Sequence, residues 1–194
     1  MGHSIDRRVQ KTKALLHGAL ASLIHEKPYE GVVVKEILAR ANVGRSTFYS
    51  HFRDKEELLA EGMREMLRKC AVKGQRASAP RAEHVLRFSL PLLEHIDSLR
   101  AVSTVANEST RQDVVHERLR GALTEWLVQE LHDISRRPWT AEQMPVELLA
   151  EQVAATFVLV LSRWLESETR SDVRAANSQF VALSLPVLAS VLAS

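Results

Sequence analysis

Asn42-Val43-Gly44-Arg45-Ser46-Thr47-Phe48-Tyr49-Ser50-His51-Phe52-Arg53-Asp54-Lys55 is the stretch that decides the fold. It opens with a turn signal, Asn42-Val43-Gly44, and continues as a short polar and aromatic helix over 44–51. It carries Arg45, Ser46, Thr47, Tyr49, His51, Arg53 and Lys55. Arginine can bond a guanine edge in two places, threonine offers a hydroxyl and a methyl, and Tyr49, His51 and Lys55 are of the type that reaches phosphates. A short helix built this way suits DNA.

Working outward, the residues before the turn form a second short helix, Val34–Ala41, with Val34, Ile37, Leu38 and Ala41 inward. Val32-Val33-Val34 is too short to make a strand without a partner run. Residues 6–26 read as a first helix with Val9, Leu16, Leu20, Leu23 and Ile24 on one face, and Pro28-Tyr29-Glu30-Gly31 as the turn after it. On the other side, Asp54 stands at an N-cap with Glu57 three residues on, which starts a fourth helix. Its inner face is Leu58, Leu59, Met63, Met66, Leu67 and Cys70. The arrangement at 34–51 is a helix-turn-helix whose second helix can enter a major groove.

The remainder reads as helix after helix. Residues 81–97 are expected to kink at Pro91, and a shorter piece covers 99–107. Longer helices follow at 110–134, 145–168 and 172–193. The fold class is all-α, with about nine helices in all. The expected organisation is an N-terminal three-helix domain, residues 1–55, on a helical body, residues 56–194.

Charge supports that division. Residues 1–55 hold ten Lys/Arg and five Asp/Glu, a net of +5, while residues 56–194 carry a net of −3. The anionic partner therefore belongs to the first quarter of the chain. Cys70 is the one cysteine, so no intramolecular disulfide forms; its inward position makes it a buried, inert thiol. The opening Met-Gly-His-Ser-Ile-Asp-Arg-Arg has no apolar h-region, and the longest apolar run, Val153–Leu161, is too short for a span. These features lead to the expectation of a cytoplasmic protein without membrane contact.

Enzymatic chemistry has no anchor. There is no GxSxG, P-loop or GxGxxG, and His84, His95, His116 and His132 lack metal-ligand spacing. No cofactor and no metal are expected. The last two helices are apolar around much of their circumference, which a monomer rarely tolerates. A two-fold dimer pairing them into a four-helix bundle resolves this, with Val153, Val160, Trp164, Phe180 and Leu188 as the expected interface.

Tyr29–Leu58 resembles the DNA-binding domain of the TetR family of bacterial transcriptional regulators. The matching residues are Val34-Lys35-Glu36-Ile37, Ala41-Asn42-Val43, Ser46-Thr47-Phe48-Tyr49, His51-Phe52 and Asp54-Lys55-Glu56-Glu57-Leu58. The resemblance implies that Lys35 contacts phosphate or a base edge, that Arg45, Ser46 and Thr47 face bases, and that Tyr49, His51 and Lys55 bind phosphates. It also implies an effector pocket among the middle helices, for which Phe88, Leu92, His95, Leu123, Trp126 and Phe157 are candidates. Their apolar character suits a lipophilic or aromatic small molecule. Three departures stand out. Val32 and Val33 replace a capping hydroxyl, Asn42 replaces a glycine, and Gly44 offers no side chain to the bases. The expected function is a dimeric repressor on a palindromic operator, released by an effector. An activator, a chromosome-organising protein and an adaptor working through protein partners remain open.

Overall fold

Leu16, Leu20 and Leu23 recur at helical spacing, and all three are buried on one face of the first helix, α1 (Gly2–Glu26). The computed structural model describes residues 2–75, 79–100, 113–135, 144–167 and 172–192. Every regular element among them is helical. A 3-10 turn, Tyr29–Gly31, leads from α1 into α2 (Val34–Ala41), which is followed by α3 (Arg45–Tyr49) and α4 (Lys55–Lys73).

Two compact units divide the chain. One is built on Met1–Met63 and the other on Arg64–Val102 and His116–Ser194. The division falls inside α4, whereas the sequence suggested the start of that helix. The first unit closes over Ile37, Phe48, Phe52 and Leu58, none more than 1% exposed.

In the second unit, α5 (Arg81–Val85) and α6 (Ser89–Arg100) replace the single helix expected over 81–97. The interruption is a 3-10 turn at Leu86–Phe88 and not a kink at Pro91. Pro91 lies in the first turn of α6, where a missing N–H costs little. The carbonyl four residues before it, on Arg87, is closely covered by Gly74, the residue that follows α4. A Cβ on Gly74 would stand 1.7 Å from that oxygen. The expected separate piece at 99–107 lies largely outside the described residues; Leu99 and Arg100 end α6.

Then come α7 (Asp113–Ile134), α8 (Val146–Glu166) and α9 (Val173–Leu192). The inner face of α9 packs on α5, α6 and α8. Phe88, Phe157 and Phe180 meet there at centroid separations of 5.2–6.0 Å, in tilted and edge-on pairs. By length and composition α8 and α9 could each cross a bilayer, but their inner faces serve as this core.

Candidate nucleic-acid interface

The turn between α2 and α3 is set by one residue. Asn42 adopts φ 52° and ψ 49°, a left-handed conformation that asparagine tolerates better than most side chains. Val43 N–H then donates to Leu38 O at 3.1 Å, closing the end of α2. The turn forms without a glycine. At the other end of α2, Val33 has no hydroxyl to accept an N–H, so only half of a capping box forms. Glu36 supplies it, accepting from Val33 N–H at 3.1 Å. Lys27 holds Glu36 at 2.6 Å and pulls its carboxyl below the usual range.

Phe48 and Phe52 anchor α3 from beneath, with rings 5.8 Å apart. Lys13 approaches the Phe52 ring at 5.4 Å and pairs with Glu61 at 2.8 Å, which ties α1 to α4. Outward, Arg45, Ser46 and Thr47 are all exposed. Tyr49 is 51% exposed, its ring edge-on to Phe48 at 5.2 Å. His51 is half-buried beside Phe52, and Lys35 is exposed on α2.

Six of the basic residues of this unit fall into two groups. Lys13, Lys27, Arg40 and Arg53 are committed to ion pairs within it. Arg40 reaches Glu26 and Ser22, linking α2 to α1, and Arg53 reaches Glu57 at 3.2 Å. Lys35 and Arg45 have no ion-pair partner among the described residues. Their charge is therefore presented to solvent beside the outward face of α3.

Lys55 makes its bonds within the unit. Its ammonium donates to the carbonyls of Tyr29, Glu30 and Val32 at 3.0, 3.2 and 2.9 Å, and lies 4.4 Å from the centre of the Tyr29 ring. A lysine has three N–H donors, and three carbonyls take them. In this structure Lys55 ties the first residue of α4 to the turn before α2. Nothing in the sequence signals this, because the acceptors are backbone atoms of a turn 23–26 residues upstream.

The geometry at 34–55 has a counterpart among known proteins. Residues 15–61 match the model of bacterial regulatory proteins of the tetR family. Over these residues the chain is similar to the DNA-binding segment of the TetR family. It is 43% identical over 56 residues to an uncharacterised HTH-type transcriptional regulator, YxbF, of Bacillus subtilis strain 168. That match spans 28% of this chain and 15% of the relative. Two solved structures share the fold across nearly the whole chain. A TetR transcriptional regulator from Streptococcus agalactiae 2603V is 24% identical, with 95% of this chain and 99% of that one covered and a TM-score of 0.56. RolR in complex with resorcinol is 17% identical, with 93% and 89% covered and a TM-score of 0.52. The relatives are regulators rather than enzymes.

In the second unit, the pocket candidates divide. Phe88, Leu92, Leu123 and Phe157 are buried, and Trp126 is half-buried with its ring 5.2 Å from Phe88. Arg87 lies 5.3 Å from the Trp126 ring and pairs with Glu130 at 2.7 Å, the side chains only 13% and 20% exposed. His95 is exposed and does not join this cluster.

The expected dimer residues also need correction. Val153, Val160, Trp164, Phe180 and Leu188 are all buried within the chain itself. The bundle core takes the bulkiest residues of α8 and α9. The exposed apolar positions are different ones: Leu148 at 54%, Leu159 at 53% and Leu183 at 56%, with Ala155, Ala182 and Pro186 beside them.

Proposed function

We propose that this protein is a homodimeric repressor of the TetR family that binds a palindromic operator through α3 and releases it when a lipophilic or aromatic small molecule binds the helical body. The observation that carries the reading is the outward face of α3. Arg45, Ser46 and Thr47 are exposed together over a helix fixed by Phe48 and Phe52. Arg45 supplies the bidentate donor for guanine, Ser46 and Thr47 read neighbouring edges, and Lys35, Tyr49 and His51 hold phosphates.

A dimer is needed because one short helix reads too few base pairs for a unique site. Two copies related by a two-fold axis place two such helices about 34–36 Å apart, one turn of DNA. The face of α8 and α9 bearing Leu148, Leu159 and Leu183 supports that assembly.

The effector reading rests on the second unit. Phe88, Trp126, Phe157 and Phe180 form an aromatic wall. Ser184, one turn along α9 from Phe180, has a buried hydroxyl with no hydrogen-bond partner among the described residues, as does Gln152 at its side-chain oxygen. An aromatic molecule bearing hydroxyls would suit such a lining. RolR, which shares the fold, was solved with resorcinol. Such a molecule releases DNA by binding better to the conformation with the wrong helix spacing. A cytoplasmic location follows from the DNA partner.

Selection of genomic fragments on the immobilised protein, followed by sequencing, tests the reading. It predicts a two-fold symmetric motif upstream of a gene. Recovery of fragments without a shared motif would contradict it.

A further inference from the structure

We infer that Gly44 is a specificity-determining position of the DNA-reading face: it leaves a notch at the leading end of α3 that accepts the 5-methyl group of a thymine in each half-site. The inference rests on α3 being the DNA-reading helix.

Gly44 is the residue before α3, and it is exposed together with Arg45, Ser46 and Thr47. Nothing inside the described chain requires a glycine there. Its φ and ψ, −70° and 150°, are extended backbone that any residue adopts. Apart from its chain neighbours, the only described atom that a Cβ would meet within 4 Å is Thr47 Oγ1, at 3.9 Å. Gly74 is the contrast, since a Cβ there would stand 1.7 Å from a backbone oxygen. Serine would also serve α3 better. Gly44 caps the helix only through its carbonyl, which accepts from Phe48 N–H at 3.1 Å, and no side chain caps the leading N–H groups. A serine hydroxyl in the same backbone conformation accepts one of them. The chain thus forgoes a better cap at a place where that cap fits.

What glycine provides instead is close approach. The residues at the start of a recognition helix are the ones that meet base edges. At Gly44 the surface is a bare Cα bordered by Thr47, with no side-chain donor or acceptor of its own. An edge rich in donors or acceptors pressed against that Cα would give up its bonds to water without replacement. The thymine 5-methyl is the apolar group that projects into the major groove, and it loses nothing there. The notch therefore reads by shape beside Arg45, which reads by hydrogen bonds.

The experiment uses the full-length protein and the operator selected on it. Each thymine of one half-site is replaced in turn by deoxyuridine, which removes the 5-methyl group alone. Wild type, Gly44→Ser and Gly44→Ala are titrated against every duplex. For wild type, one replacement weakens binding by about fourfold, the worth of one buried methyl group. Both variants lose about tenfold or more on the thymine operator, because the added atoms occupy the space of the methyl group. At that same position deoxyuridine strengthens their binding instead of weakening it, and this reversal of sign is the mark of a shared space. The salt slope keeps its wild-type value, since no charge changes. Gly44→Ser melts at or above the wild-type temperature.

Gly44→Ser that binds the thymine operator as tightly as wild type, or a scan in which no position reverses sign, overturns the proposal. Gly44→Ser that melts well below wild type overturns it too, because the fold itself would then require the glycine. In each of these cases the reading of α3 still stands if Arg45→Ala loses affinity for the operator. If the wild type selects no operator, both fall.

Discussion

Replacing Leu159 and Leu183 together by glutamate is expected to separate the dimer without unfolding the chain. The magnitude follows from exposure. Full burial of a leucine side chain is worth about 1.5–3 kcal/mol, and a little over half of each of Leu148, Leu159 and Leu183 remains outside the protomer, at 54%, 53% and 56%. Each then has roughly 1–1.5 kcal/mol left to gain, and six such side chains across a symmetric pair contribute about 6–9 kcal/mol before association costs. Four of the six are lost in Leu159→Glu/Leu183→Glu, and four carboxylates are brought into one apolar interface. The protomer should barely notice, since exposed substitutions usually change stability by about 0.5 kcal/mol or less. Sedimentation velocity at micromolar concentration should show a monomer, and far-ultraviolet circular dichroism a near-wild-type helix signal. Phe180→Ala is the control in the other direction. It removes a side chain at the centre of the aromatic core, and should cost about 3–5 kcal/mol of stability. A double glutamate variant that sediments as a dimer, or a wild type that is monomeric, would refute the assignment of this face.

Other consequences are equally checkable. Gly74→Ala would bring a methyl group to 1.7 Å from the Arg87 carbonyl oxygen, which is backbone and cannot swing aside, so a loss at or above the upper end of the usual 1–3 kcal/mol for overpacking is expected in denaturant unfolding. A near-neutral result would mean that α4 ends differently. Acid should loosen the first unit early. Arg40 lowers the Glu26 carboxyl and Lys27 lowers that of Glu36, both from an ordinary value of 4.5. Their contribution is present above that value and fades as pH falls through the depressed ones. Replacing both Lys27 and Arg40 by methionine should flatten the fall in melting temperature below about pH 4.5; an unchanged pH profile would refute the role of these pairs. An aromatic effector bound at the cluster should quench Trp126 and raise the melting temperature by mass action, and the quench should vanish in a chain that retains only the tryptophans at 139 and 164. Quenching that survives there would place the effector elsewhere.

Much of the first unit could be read from the sequence because its signals are local. The bounds of α2 follow from apolar spacing and the Asn42 turn, and Asp54 caps α4 as expected, accepting from Glu57 N–H at 2.7 Å. Phe48 and Phe52 are in the core for the same reason. The carbonyl contacts of Lys55 are not legible in the sequence, because a lysine at a helix start looks alike whatever it meets. The second unit was harder. Pro91 drew attention as a breaker, yet the interruption lies at Leu86–Phe88, in residues that carry no breaking signal. The residues expected at a dimer face are buried within the protomer, because α8 and α9 are apolar on both sides. Periodicity cannot say which side a neighbouring helix of the same chain will take. Phe157, Trp164 and Phe180 went inward, while Leu148, Leu159 and Leu183 stayed out.

The central claim is that α3 reads base edges through Arg45. It is tested most directly by titrating wild type and Arg45→Ala against the selected operator and a random duplex of equal length, at one salt concentration, by fluorescence anisotropy. The account predicts a loss of about 1–3 kcal/mol on the operator, a much smaller change on random DNA, and relaxed preference at one base pair of each half-site. Equal weakening on both duplexes would contradict it and reduce Arg45 to a phosphate contact.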